Sequence, residues 1–254
     1  MERIFRARGR PLVLVLALVM NAASLFAQSE PAPAPPVKSW STSLGTGYSM
    51  SKGNSNSSNV NVAFNTSWDP KTVRTFKIEV LYISESKDNE QTVDKTSALI
   101  RYQRRFMSKN QYLFAESSYT RDSFKDIASL ISPRVGIGIN VEKSERTKLS
   151  FDLSAGTATE RNLAGKTSTG GAAQIGETLD LAFGSTKLTQ KASALFKTGD
   201  FNDTIYHVDA GVTASLAKHF DMKFTYIFEY KTQPEHGDVL NSDTSMVATL
   251  LLKW

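Results

Sequence analysis

The chain has no cysteine among its 254 residues. That excludes disulfides, thiolate catalysis, cysteine-ligated metals and a lipid-modified cysteine at a processing site. Histidine is scarce too. His207, His219 and His236 are scattered without metal-ligand spacing, and no metal or cofactor is expected. Beyond residue 26 no apolar run approaches the roughly 20 residues a spanning helix needs. An excess of one charge is also missing from the bulk of the chain. The formal charge is +5, but four Arg and one Glu lie in residues 1–27, so of the 30 basic and 25 acidic side chains 26 and 24 remain. This near-neutral remainder gives no support for nucleic-acid binding.

The N-terminus, by contrast, is strongly patterned. Met1 to Arg10 is basic, Pro11 to Phe26 is almost wholly apolar, and small residues Ala22, Ala23, Ser24 and Ala27 follow. This is the layout of a secretory signal peptide over 1–27, with cleavage expected after Ala27. Asn21 interrupts a run already short for a membrane anchor. Residues 28–38 include Ser-Glu-Pro-Ala-Pro-Ala-Pro-Pro and read as a disordered Pro/Ala-rich lead-in. Residues 39–254 hold no internal linker and are expected to form one domain.

That domain alternates with period two. Phe220, Met222, Phe224, Tyr226, Phe228 and Tyr230 share one face of a strand, and Asp221, Lys223, Thr225, Ile227 and Glu229 share the other. Similar series are Val60, Val62, Phe64; Val135, Ile137, Ile139, Val141; and Met246, Ala248, Leu250, Leu252, Trp254. In 111–120 the choice stays open, because Leu113, Ala115 and Tyr119 face one way and Tyr112, Phe114 and Glu116 the other. The pattern predicts twelve strands, near 40–50, 57–68, 73–84, 96–106, 111–120, 130–141, 147–159, 172–183, 187–198, 204–217, 219–230 and 244–254. Each has the length of a tilted membrane strand. The predicted fold class is all-β, an antiparallel up-and-down transmembrane β-barrel. Closure is required, because unpaired backbone groups in hydrocarbon would cost several kcal/mol each, so 40–50 is expected to pair with 244–254.

The connections alternate in character. Asp69–Thr72, Met107–Asn110, Glu142–Arg146, Gly184–Thr186 and Lys218 are tight, whereas Glu85–Lys95, Arg121–Ser129, Glu160–Gly171 and Lys231–Asp243 are longer. Short turns alternating with longer loops suit an outer-membrane barrel with periplasmic turns and periplasmic termini. The aromatics sort accordingly. Trp40, Trp68, Phe106, Phe220 and Trp254 lie near the short-turn ends, and Tyr48, Tyr82, Tyr119, Tyr206 and Tyr230 near the long-loop ends, as two lipid-interface girdles would.

With the strands placed, the chain resembles the YdiY-like, salt-induced outer-membrane protein family. The resemblance rests on Leu44-Gly-Thr-Gly47 with Gly53-Asn-Ser-Asn56, on Tyr119-Thr-Arg-Asp-Ser-Phe124, on Arg134-Val-Gly-Ile-Gly-Ile139 and on Phe224-Thr-Tyr-Ile-Phe-Glu-Tyr230. It covers most of 40–254, and it implies a barrel without an assigned biochemical activity and without catalytic residues to carry over. Trp254 resembles the C-terminal aromatic that the barrel-assembly machinery reads, although Phe is more usual there. The implied partners are outer-membrane lipid, lipopolysaccharide and that machinery.

The candidate lumen lining is polar and mixed in sign: Lys77, Glu79, Arg101, Arg105 and Arg134, with Asp152, His207, Asp209, Lys223 and Glu229. Two readings weigh against each other. Cross-strand ion pairs would fill the interior, or a wetted channel would set ion preference, with Arg101, Arg105 and Arg134 as a basic constriction. His207 and Asp209, two residues apart on one face, also admit a lipid-cleaving enzyme. That pair should point inward, however, and no motif brings a serine beside it. In the third long loop, Arg121, Asp122 and Asp126 suggest a loop-fixing salt bridge ahead of a divalent-cation site. A soluble periplasmic β-sandwich is the remaining alternative. It would need the aromatic faces buried between sheets.

Overall fold

The structure, a computed structural model, describes residues 39–254 apart from 53–56, 71–72, 88–89, 107–109, 145 and 234–240. The expected signal peptide and lead-in, the Gly53–Asn56 turn and His236 lie outside the described residues. Twelve strands follow in order: β1 (Trp40–Lys52), β2 (Ser57–Trp68), β3 (Arg74–Lys87), β4 (Glu90–Arg105), β5 (Gln111–Asp122), β6 (Ile127–Lys143), β7 (Thr147–Arg161), β8 (Thr167–Phe183), β9 (Thr186–Lys197), β10 (Asp200–Ala217), β11 (Phe220–Lys231) and β12 (Ser242–Lys253). Each pairs antiparallel with its sequence neighbours. β1 pairs with β12 from Ser43↔Lys253 to Lys52↔Thr244, so the sheet closes into a barrel with no open edge.

Alternation dictates which face each residue takes, and this barrel is apolar on the outside. On β6, Val135 is 67% exposed and the adjacent Arg134 only 5%. Ile131, Ile137, Ile139 and Val141 are exposed with Val135, and Ser132 is buried with Arg134. A protein folded in water would place these side chains the other way. The pattern is that of a wall facing lipid, and it disposes of the soluble sandwich.

β5, ambiguous from its sequence, turns Tyr112, Phe114 and Glu116 inward and leaves Leu113 exposed. The reason lies on β6. Gly138 and Gly136 stand opposite Tyr112 and Phe114. A Cβ on Gly138 would meet the Tyr112 ring at 2.2 Å, and one on Gly136 would meet Phe114 Cζ at 2.6 Å. The two rings lie over bare backbone, which is why large aromatics fit inside a narrow barrel.

The strands run farther than expected at the long-loop end. β3 reaches Lys87 and β4 starts at Glu90, β6 starts at Ile127, β8 at Thr167 and β10 at Asp200. Alternation marks a strand only where its two faces meet different media. Glu85-Ser-Lys87 and Glu90-Gln-Thr92 are polar at every position, so the period is lost in the sequence while the ladder continues.

Candidate functional site

The long-loop end of the interior is filled from above and across. Between β5 and β6 the chain makes a single 3-10 turn, Ser123–Lys125, followed by Asp126 at φ 56°. Aspartate tolerates this left-handed conformation better than most residues. The turn sends the buried Lys125 inward, where its Nζ donates to Glu229 Oε2 at 3.3 Å and lies 3.6 Å from Asp243. Glu229 sits on β11, six strands from β5, so the contact spans the bore. Lys95 on β4 donates to the same carboxylate, and His207 Nδ1 lies 3.0 Å from its other oxygen. Glu160 is held by Lys231 at 2.9 Å and Lys197 at 2.6 Å. Two apolar clusters occupy the space between these pairs. One is Ile127, Leu130, Ala158, Ala172 and Leu195 with Ile205 against them. The other is Ile83, Ile227 and Val247 with Leu81.

Beside the Tyr112 and Phe114 rings lies a second charged group. Arg134 donates to Glu116 Oε1 through Nη2 at 2.9 Å and Nε at 3.2 Å, and to Ser132 at 2.6 Å. Arg101 lies 3.1 Å from Glu116 and 2.9 Å from Asp152, with its guanidinium 3.8 Å from the Phe114 centroid. The Tyr112 hydroxyl donates to Asp152 at 2.6 Å. Two arginines therefore meet two carboxylates, and Arg101 and Arg134 do not stand as the bare basic constriction that was considered. Charge-assisted hydrogen bonds of this kind are stronger than neutral ones and hold the side chains in place. Arg105 sits nearer the short turns, opposite Tyr112.

A third level spans the bore. Glu79 on β3 accepts from Lys191 on β9 at 2.8 Å and pairs with Lys77 at 2.7 Å. β3 and β9 are six strands apart in both directions, so the bridge joins opposite walls. Below it a cavity of about 600 Å³ extends to the short-turn end, where Gly184, Ser185, Ser215 and Lys253 line it. His207 Nε2 lies 3.4 Å from Asp209, completing a chain from Glu229 through His207 into the cavity. Among the described residues no group of three His, Asp or Glu side chains is arranged to hold a metal ion.

The structure thus brings Lys77 to Glu79, Arg101 to Asp152, Arg101 and Arg134 together on Glu116, and His207 to Asp209 and Glu229. Lys223 stands in the cavity apart from those pairs. Sequence reasoning missed Lys95, Lys125 and Lys231, because each fell in a segment expected to be loop. Glu116 was missed for want of a register on β5. Of the loop residues considered for a cation, Arg121 pairs instead with Asp94 at 2.7 Å, and Asp126 Oδ1 accepts from the Leu163 amide at 3.1 Å.

On the outer wall, the Trp40 and Trp68 rings lie 6.5 Å apart at the short-turn rim, and Tyr206 and Tyr230 lie 6.1 Å apart at the other. Phe106, Phe220, Trp254 and Tyr82 are exposed, Tyr119 is half-buried, and the Tyr48 side chain is not described. Glu177 and Gln190 interrupt the apolar series of the outer wall. Glu177 on β8, opposite the outward Phe151, accepts from Gln190 at 2.8 Å.

An apolar exterior and a closed, polar, antiparallel interior define the class: an outer-membrane-type β-barrel. Residues 44–254 match the family described as "Protein of unknown function, DUF481", and the chain belongs to that family, the YdiY-like group. No curated protein matches it. Among solved structures, the NanC porin superposes with a TM-score of 0.53 at 9% identity over 85% of this chain and 100% of its own, which shows a shared fold. The KdgM porin follows at a TM-score of 0.48, 10% identity, and 83% and 98% of the two chains. The outer membrane phospholipase A from Escherichia coli gives 0.48 at 9% identity over 83% and 95%.

Proposed function

We propose that this chain is exported by its N-terminal signal peptide and sits in the outer membrane as a non-enzymatic barrel, a narrow passive channel for ions or small solutes. The observation that carries this reading is the polar cavity of about 600 Å³ at the short-turn end, which leads up to a level closed only by side chains, Lys77, Glu79 and Lys191. Salt bridges facing water are weak enough to open and reclose, whereas a barrel packed throughout with apolar side chains would have no such route. The residues proposed to line the route are Lys77, Glu79, Lys223 and Asp209, with Arg101, Arg105, Arg134, Asp152, His207 and Glu229 above and beside them. Assembly through the C-terminal strand ending at Trp254, contact with lipopolysaccharide and salt-induced expression belong to the same proposal.

Single-channel recording of the refolded protein in planar bilayers tests it. Small, reproducible steps are expected. A correctly inserted but silent barrel would overturn the channel reading and favour the second one, an envelope-stabilising barrel. The contact between Lys125 and Glu229 across the loop-side bore is the observation favouring that second reading. An enzyme acting on lipid finds less support. His207 holds two carboxylates on the inner side of the wall, away from lipid.

A further inference from the structure

We propose that the cavity at the short-turn end binds a small oxyanion, a carboxylate or a phosphate, held by Lys223 together with Lys77 and Lys191. Five lysines line the cavity: Lys77, Lys187, Lys191, Lys223 and Lys253. Four carboxylates face them: Glu79, Asp180, Asp209 and Asp221. Each carboxylate has its own engagement. Lys187 meets Asp180 at 3.2 Å, and Lys253 meets Asp221 at 2.5 Å. Glu79 is shared by Lys77 and Lys191, and Asp209 is turned toward His207. Among the described residues, Lys223 is left without a carboxylate at ion-pair distance. The charged groups that act on it are Lys191, Asp209, Glu79 and Lys187.

The position of Lys223 is set by the neighbouring strand. Its Cε lies over Gly211, where an added Cβ would stand 3.1 Å away. Glycine there lets the lysine stem lie flat along β10, so the ammonium is held in the cavity. A cation enclosed by low-dielectric walls with one counter-charge too few attracts an anion strongly. Thr178, Thr189 and Thr225 add hydroxyl donors on the same lining. A small oxyanion offers several acceptor oxygens for three ammonium groups and these hydroxyls at once, and the volume exceeds what such an ion needs. The site faces the short-turn end and requires no conduction through the filled level above it, so it stands whether or not the barrel passes current.

The test is isothermal titration of the refolded full chain in detergent micelles, with inorganic phosphate and, separately, acetate. Saturable binding of at least one is expected. Lys223→Gln is expected to weaken it by about tenfold or more, the loss of one charge-assisted hydrogen bond in a sheltered site. Lys223→Arg retains it. Lys166→Gln, on an exposed lysine at the opposite end of the barrel, leaves it unchanged. Folding of each variant is checked by the heat-dependent shift of the barrel on gels. Should Lys223→Gln fail to fold, Gly211→Ala, which pushes the lysine stem aside, is expected to weaken binding by several-fold. No saturation by either anion in the wild-type protein, or equal binding by wild type and the folded Lys223→Gln variant, would overturn the proposal.

Discussion

Glu79 on β3 and Lys191 on β9 meet at 2.8 Å although six strands separate them in either direction around the barrel. A bond of that kind braces opposite walls and obstructs the bore at the same height. Glu79→Gln leaves two lysines facing each other with no shared carboxylate. A destabilisation of about 2 kcal/mol is expected in urea unfolding from micelles, below the range for a fully buried pair because the cavity admits water. In bilayers the same variant should shift the reversal potential toward anions. An unchanged reversal potential in a conducting variant would count against Glu79 lying on the route.

Lys125 holds the turn between β5 and β6 to Glu229 and Asp243 on the far wall. Lys125→Ala removes the contact without enlarging any side chain. Amide exchange over 123–127 is expected to rise. If the barrel conducts, its unitary step should rise as well. Protection unchanged from wild type would show that the packing of Ile127 and Leu130 and the Leu163–Asp126 hydrogen bond keep the turn in place without Lys125.

Gly138 gives the Tyr112 ring its seat, and the ring in turn gives Asp152 a hydroxyl donor. Gly138→Ala is expected to cost about 1–3 kcal/mol by overpacking. Tyr112→Phe, which keeps the ring and loses only the hydrogen bond, should cost about 1 kcal/mol. In urea titrations, a cost for Gly138→Ala smaller than that for Tyr112→Phe would count against the fit of the ring over the glycine deciding this wall.

Glu177 faces outward among Phe151, Ile175 and Leu179, with Gln190 as its hydrogen-bond partner. Acidic groups on a lipid face destabilise less than basic ones, but they do destabilise. Glu177→Leu together with Gln190→Leu is therefore expected to raise stability by about 1–2 kcal/mol in refolding into lipid vesicles. A drop of the same size would mean that the pair has a partner within the membrane.

The wall was far easier to read in the sequence than the interior. Val135, Ile137 and Ile139 announce the lipid face because hydrocarbon tolerates only apolar side chains, whatever their neighbours. Closure of β1 on β12 followed from the cost of an open edge in that medium. Inside, each side chain answers to a partner on another strand, and sequence gives no height for it. Arg101 and Arg134 looked like three-way candidates with Arg105 for a positive ring, yet Glu116 draws two of them together and Arg105 stays out. Glu116 could be assigned inward only once Gly136 and Gly138 were seen to admit the aromatic side of β5. Lys125 was hidden for a different reason. A lone lysine in a polar loop has no periodicity, and its burial depends on the turn that carries it.

The strands of β8 and β10 run 17 and 18 residues, where roughly ten suffice to cross hydrocarbon. The surplus stands above the lipid as a stiff, hydrogen-bonded collar. A protease needs an unpaired, extended segment to enter its cleft, and on β8 this stretch presents backbone paired with β7. Variation that loops tolerate freely is also constrained on β8, because a residue inserted among 167–171 breaks its ladder with β7.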